Sequence, residues 1–371
     1  MNPIGSHAGQ AAAFRVVELY LFDTCTHRCG YCWLAEQGLV LDSAQLKPFR
    51  DIAYIDRLAA FFNSRTIDSS PWLITMTGGE PLLMPNLGRF CESLFDRGNR
   101  VAFYTALLLE ETHPGFRFLL EHGAPEVDYV MASLHPEAEV DESRYFQKVA
   151  RLRDAGHRVF VRYIGHPDRL HRLPAIREQC ESLGVAFYPT TLFSSNYPGA
   201  YTVEERRLLS AEFSTLSQHV QLAGGVDTAH SRCRAGNKLI AVDLRTGNVT
   251  PCITVRQPVL GNVFDDTLTL GPEVIDCPEA GITCNCDIHF QQDVVLGASD
   301  GERFEKLKRG YSDEVLDDET VAKDLQEGGV AIYRGTAMGI GHVQRDQVLF
   351  FTKEEVQQRW REFRLARDNK G

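Results

Sequence analysis

Apolar residues fall along the chain in two alternating rhythms. Residues 16–22 (VVELYLF) are a short apolar run that reads as a strand, and residues 44–64 then place apolar positions at helical spacing. LITMT at 73–77 reads as a buried strand ending in Gly-Gly. A helix is predicted near 86–97 before a strand at 101–105 (VAFYT), and another near 115–122 before a strand at 128–133 (DYVMAS). Helix 143–155 precedes strand 158–164, helix 172–183 precedes strand 185–191, and a helix at 203–218 closes the series. Gly98, Gly123, Gly156 and Gly184 stand where helices should stop. Six strand–helix pairs predict an α/β chain with a parallel sheet and crossover helices. Six units are fewer than the eight of a closed barrel, so the expected form is an open or partial barrel over residues 16–220.

The rhythm changes after about residue 220. LIAVD at 239–243, a Thr246-Gly247-Asn248 turn and residues 249–254 read as a β-hairpin. The expected organisation is a leader at 1–15, the barrel at 16–220, a small cysteine-rich hairpin domain at 221–290 and a mainly helical extension at 291–371. The extension holds predicted helices at 315–327 and 353–368 and two short apolar stretches, AIYRG and VLFFT. Gly335–His342 is glycine-rich but follows neither a P-loop nor a dinucleotide pattern.

Charge and cysteine usage narrow the function classes. The 371 residues carry 39 Lys+Arg against 50 Asp+Glu, a net charge of −11, which repels phosphate backbones and anionic lipid. Nucleic acid and membrane are therefore not expected partners. No apolar run approaches bilayer length, and MNPIGSHAGQAAAF has neither a basic n-region nor a long apolar segment, so a cytoplasmic protein is expected. Ten cysteines in such a chain point to metal binding rather than disulfides, because they cluster: three at 25–32 and five at 233–286.

Cys25, Cys29 and Cys32 form C-x3-C-x2-C directly after the first strand. Three thiolates on one loop can hold three irons of a [4Fe–4S] cube and leave the fourth iron open for a small molecule. A zinc site completed by His27 is the alternative on spacing alone. The second feature is Thr77-Gly78-Gly79-Glu80-Pro81, where two glycines permit close backbone approach and Glu80 can accept from an ammonium group. Both motifs lie at the C-terminal ends of neighbouring predicted strands, where such folds place their sites.

On these residues the chain resembles the radical S-adenosylmethionine (radical SAM) superfamily, whose hallmark is C-x3-C-x2-C with an aromatic before the last cysteine, here Tyr31. The resemblance implies a partial (β/α)6 TIM-like barrel and a [4Fe–4S] cluster whose open iron chelates S-adenosylmethionine. It implies that Gly78, Gly79 and Glu80 meet the methionyl ammonium and the Tyr31 backbone meets the adenine. Ser133 and Arg162 match positions that hold the ribose or carboxylate. It further implies reductive cleavage of the cofactor to a 5′-deoxyadenosyl radical, with a ferredoxin or flavodoxin as electron donor. One departure is visible: the third strand commonly ends in Thr-Asn-Gly, whereas here it reads Thr105-Ala106-Leu107, which removes a polar contact.

The later cysteines are Cys233, Cys252, Cys277, Cys284 and Cys286, and the hairpin should bring Cys233 and Cys252 together at one end. Residues 233–263, with Cys233-Arg234-Ala235-Gly236 and Gly247-Asn248-Val249-Thr250-Pro251-Cys252, resemble the SPASM/twitch extension. Five cysteines rather than about seven imply one auxiliary [4Fe–4S] cluster, held by Cys233, Cys252, Cys284 and Cys286 with Cys277 as spare or substitute. A filled auxiliary cluster can take an electron from a substrate radical, and an unligated Cys277 could instead return a hydrogen atom. Cys91 and Cys180 lie in predicted helices and read as packing residues. His27, His135, His166 and His289 flank strand ends or clusters and could bind substrate or be structural, and Trp33 could wall the site or pack.

These readings point to a radical SAM oxidoreductase or epimerase acting on a small polar molecule, such as a sugar, an aminocyclitol or a nucleotide-linked metabolite. Members of the resembled family that modify ribosomal peptides often carry a leader-binding domain before the barrel, whereas 24 residues precede Cys25 here, although such a module could be a separate chain. Maturation of a peptide or protein is the alternative, and a non-catalytic metal-binding scaffold is the alternative from a different class.

Overall fold

The computed structural model describes residues 14–27, 29, 31–32, 43–135, 141–192, 201–213, 218, 222, 226–227, 232–253, 255, 257–277 and 283–284. Trp33, Cys286, His289, Gly335–His342 and every element expected at 291–371 lie outside the described residues.

Strand and helix alternate as the apolar rhythm predicts. The order is β1 (Arg15–Tyr20), α1 (Ile52–Asn63), β2 (Trp72–Thr77), α2 (Leu87–Phe95), β3 (Arg100–Thr105), α3 (Pro114–Glu121), β4 (Val127–Leu134), α4 (Glu142–Asp154), β5 (Val159–Gly165), α5 (Leu173–Leu183), β6 (Ala186–Thr191) and α6 (Val203–Ala211). Strands β1 to β6 pair in sequence order, all parallel. This is the α/β architecture of a partial TIM-like barrel.

Two faces of the sheet carry two cores. Val17, Leu19, Ile74, Met76, Val101, Phe103, Val130 and Val161 pack with Leu58, Phe62, Phe90, Phe116, Val149 and Ile176 of the helices. The opposite face holds a smaller cluster with no helix residue in it: Leu73, Ala102, Tyr129, Met131, Phe160 and Tyr188. Strand alternation puts Glu18, Thr75, Ser133 and Arg162 on that same inner face.

Local chemistry moves some boundaries. The helix expected over 44–64 is broken into two 3-10 turns, Ser43–Leu46 and Pro48–Arg50, before α1 begins. Pro48 has no N–H to continue a helix, and the Asp51 side chain caps the new start by accepting from Ala53 N. Gly184 ends α5 at φ +66°, as expected of a left-handed cap.

Beyond β6, the described residues include short strands β7 (Val226–Asp227), β8 (Arg232–Cys233), β9 (Leu239–Asp243), β10 (Asn248–Thr250), β11 (Gly261–Asn262), β12 (Thr267–Leu268), β13 (Ile275–Asp276) and β14 (Thr283–Cys284). β9 and β10 form the expected hairpin. The hairpin does not stand apart: β9 pairs parallel with β1, Val16 opposite Leu239 through Tyr20 opposite Asp243. The sheet therefore runs β12-β11-β10-β9-β1-β2-β3-β4-β5-β6 without a break. Among the described residues no helix is long and apolar enough to cross a membrane.

Candidate active site

The cysteine loop leaves the C-terminal end of β1. Cys29 is buried, and Cys25 and Cys32 are half-buried. The His27 N–H donates to Cys25 Sγ at 3.3 Å, and Cys32 N donates to Cys29 O at 3.0 Å. Burial pushes the Cys25 thiol up to about 11, with the Glu80 charge adding to it. A thiolate there therefore calls for a cationic partner such as iron.

The glycines after β2 are pressed against this loop. Gly79 N donates to Phe22 O at 2.7 Å and Glu80 N to Thr24 O at 2.9 Å. A Cβ on Gly79 would lie 2.0 Å from Thr24 O, and one on Gly78, at φ +133°, would lie 2.5 Å from Phe22 O. The close approach these glycines permit is thus to the segment that launches Cys25.

Glu80 is 1% exposed and its carboxylate is well supplied with donors. Oε1 accepts from Leu82 N at 3.1 Å and from Thr105 Oγ1 at 2.7 Å, and Oε2 accepts from Ala106 N at 2.9 Å. Burial raises its pKa, opposed by those three donors and by the Lys148 charge. Oε2 keeps one acceptor position beyond the Ala106 bond. The end of β3 therefore has a role that its departure from Thr-Asn-Gly conceals. Thr105 and the Ala106 N–H hold Glu80, while Leu107 takes the left-handed conformation itself at φ +54°. Buried Lys148 secures that turn, donating to Leu107 O at 2.8 Å and Leu109 O at 2.7 Å.

A ring of aromatic and imidazole groups faces the loop from β4 and β5. Tyr31 is buried, its hydroxyl lies 2.9 Å from His135 Nδ1, and the two rings stack with centroids 6.0 Å apart. His27 meets His135 edge-on at 5.6 Å, and His166 lies 6.4 Å from Tyr31. Burial, then His27 and Arg162, push the His135 imidazole down to about 3, so it is neutral at physiological pH. Ser133 and Arg162 are register partners, and Arg162 Nε is buried without a hydrogen-bond partner. Tyr31 and three histidines that the sequence left open between substrate binding and a structural role, His27, His135 and His166, are thus brought together. Thr105, Lys148 and Leu107 were not foreseen, because their roles depend on strand-to-strand placement.

The backbone around four of the five later cysteines is described. Cys233 and Cys252 are both buried, and Gly236 N donates to Pro251 O at 3.1 Å, which lays the two cysteine segments alongside each other away from the hairpin turn. Ala235 N donates to Cys233 Sγ at 3.3 Å. Cys233 pairs with Ile275 in β13, two residues before half-buried Cys277, and Cys284 pairs through its backbone with Val226. The Cys286 position lies outside the described residues. Among the described residues no three His, Cys, Asp or Glu groups converge on a single metal ion. Cys91 and Cys180 are fully buried in α2 and α5, as packing residues should be.

No family model and no curated protein matches the chain. Solved structures do. Native anSMEcpe with bound AdoMet is similar at TM-score 0.50 and 12% identity, over 95% of this chain and 97% of that one. The chain shares that structure's fold. Native anSMEcpe with bound AdoMet and Kp18Cys peptide is similar at TM-score 0.49 and 10% identity, over 96% of this chain and 97% of that one. Streptococcus suis SuiB follows at TM-score 0.45 and 14% identity, over 68% of this chain and 64% of SuiB, so the chain spans less than two thirds of SuiB's length. In this fold, the cysteine loop, the Gly-Gly-Glu turn and the imidazole ring all lie at the C-terminal ends of the parallel strands.

Proposed function

We propose that the protein is a radical SAM enzyme. The observation that carries this reading is the seating of the C-x3-C-x2-C loop on the Gly-Gly-Glu turn by two backbone hydrogen bonds. Cys25, Cys29 and Cys32 would hold a [4Fe–4S] cluster, one thiolate to each of three irons. The donor set fits such a cube: the thiols are partly to fully buried, and one already accepts an N–H bond. When bound, the cluster and S-adenosylmethionine supply one-electron cleavage of a C–S bond and the hydrogen-abstracting power that follows.

The residues of the chain then do the binding and shielding. Glu80 Oε2 has acceptor capacity for the methionyl ammonium, and the Gly78 and Gly79 backbone borders it. Ser133 and Arg162 on the inner face are suited to the ribose and carboxylate, with buried Arg162 Nε supplying a hydrogen bond it otherwise lacks. The Tyr31 backbone would meet the adenine. Neutral His135 and the aromatic groups beside it would keep water from the reacting carbon. Cys233, Cys252, Cys284 and Cys286, or Cys277 in place of one of them, would hold an auxiliary cluster that carries electrons from the substrate.

The substrate we propose is a small polar molecule, a sugar, aminocyclitol or nucleotide-linked compound, dehydrogenated or epimerised at carbon. An inner face bearing Glu18, Thr75, Tyr104, Ser133, Arg162 and Tyr188 supports a polar ligand. Anaerobically reconstituted protein, given S-adenosylmethionine and a reductant, should form 5′-deoxyadenosine. A panel of sugars and aminocyclitols should accelerate it while a panel of peptides does not. No 5′-deoxyadenosine under any condition overturns the enzyme reading, and stimulation by peptides alone overturns the substrate class.

A further inference from the structure

The turn of the β9–β10 hairpin carries Arg245, and this side chain reaches the base of the cysteine loop. Asp243 grips its guanidinium, with Nε to Oδ1 at 2.9 Å and Nη2 to Oδ2 at 2.7 Å. The guanidinium lies 4.3 Å from the ring centroid of Tyr20 and donates from Nη1 to Asp23 Oδ1 at 3.1 Å. Asp23 is 1% exposed and stands two residues before Cys25. Its carboxylate also accepts from the Tyr20 hydroxyl at 2.5 Å and Gln45 Nε2 at 3.1 Å, and its own N–H donates to Gln45 Oε1 at 2.6 Å. Three separate pieces of chain thus meet on one buried acid: strand β1, the 3-10 turn Ser43–Leu46, and a hairpin 222 residues away in sequence.

Tyrosine and glutamine donors satisfy the lone pairs of Asp23, but only a cation cancels its charge. Among the described residues, Arg245 is the ion-pair partner of Asp23. An uncompensated carboxylate in a low-dielectric setting acts on neighbouring charges far more strongly than one in water. A cluster held by Cys25 gains negative charge when it is reduced, and net charge nearby is one of the terms that set such potentials.

Resting on the radical SAM reading above, we propose that Arg245 is a positioning residue for the N-terminal cysteine loop: from the hairpin turn it offsets the charge of Asp23, pins the first turn of the loop, and makes reduction of the N-terminal cluster easier. The hairpin region would then act on the site in two ways, through the cysteines it supplies and through this single cation.

The test uses full-length Arg245→Gln, Asp23→Asn and the double variant, with Arg89→Gln as control because the Arg89–Asp56 pair is exposed. Hydrogen exchange of amides 22–32 is read on the metal-free chain. The midpoint potential of the N-terminal cluster is read on the reconstituted chain, that cluster being recognised by the spectral change on adding S-adenosylmethionine. Arg245→Gln should speed exchange in the loop about tenfold or more and move the potential to more negative values. The double variant should bring the potential back towards wild type, since Asp23, Arg245 and Asp243 together carry one negative charge in wild type and Asp243 alone carries one in the double variant. Loop exchange and potential in Arg245→Gln matching the Arg89→Gln control overturn the proposal, as does a double variant that keeps the shifted potential. Should Arg245→Gln fail to fold, Arg245→Lys is read in its place. It keeps the charge but loses the fork, so the potential should hold while loop exchange rises, and unchanged exchange overturns the proposal. If no cluster assembles on the wild-type chain, the radical SAM reading fails while the exchange experiment still judges the clamp.

Discussion

Glu80 is a carboxylate that folding removes from water, and its neighbours are arranged around that cost. Three donors reach it, two backbone N–H groups and the hydroxyl of Thr105 from the next strand. Thr105→Val keeps the shape and removes the donor, so it should destabilise the protein by about 1–3 kcal/mol in urea unfolding, while Thr105→Ser should stay near wild type. A valine variant as stable as wild type would mean that Thr105 is not needed to hold Glu80. His157 poses the opposite problem. It is 5% exposed, one ring nitrogen meets Leu119 O, and Nδ1 is buried with no partner. Burial lowers its pKa below the ordinary 6.5, so a proton arriving at Nδ1 finds no acceptor. The unfolded chain binds that proton first as pH falls. The contribution of His157 is therefore complete above about pH 6.5 and is lost as pH drops below it, with a limiting slope of about 1.4 kcal/mol per pH unit. Urea midpoints measured from pH 7 downwards should fall less steeply in His157→Gln than in wild type, and equal slopes would remove His157 from the acid response.

At the scale of elements, two glycines nine residues apart in sequence have opposite meanings. Gly79 sits where a Cβ would strike the Thr24 backbone, so Gly79→Ala must push β2 and the cysteine loop apart. It should cost about 1–3 kcal/mol and lower the iron retained after reconstitution. Gly88 lies inside α2, where a Cβ would meet Phe118 Cδ2 at an ordinary 3.6 Å. Gly88→Ala should stabilise by about 0.5–1 kcal/mol, because helix propensity is all that changes. Thermal unfolding of both variants checks the pair of signs. The sequence revealed that Gly78 and Gly79 were special but not what pressed on them. The same divide runs through the elements. β1 to β6 and the helices between them were legible because apolar periodicity is local. The break at Pro48 was legible in principle, since proline chemistry is local too. The grip of Thr105 and Ala106 on Glu80 was not, because it needs the register of β2 against β3, and comparison with Thr-Asn-Gly hid it.

At the scale of the whole molecule, the hairpin was readable as a hairpin, but its place was not. A strand beside β1 could not be inferred from 239–243, since the pairing closes a loop of more than two hundred residues and leaves no periodic trace in either segment. The consequence is physical continuity: Val16, Val17 and Leu19 of β1 and Leu239 and Ile240 of β9 are all fully buried. The strand that delivers the cysteine loop is then an interior strand, with β2 on one side and β9 on the other. An edge strand in that position would expose unpaired backbone at the base of the site. This continuity predicts that barrel and hairpin unfold as one cooperative unit. Ile240→Ala should cost about 2–5 kcal/mol as a buried large-to-small change. In denaturant-dependent hydrogen exchange, amides of β2 and β3 should lose the same free energy as those of β9. If β2 and β3 keep wild-type protection while β9 opens, the hairpin is a separately folding appendage, and the route from Arg245 to the cysteine loop loses its rigid support.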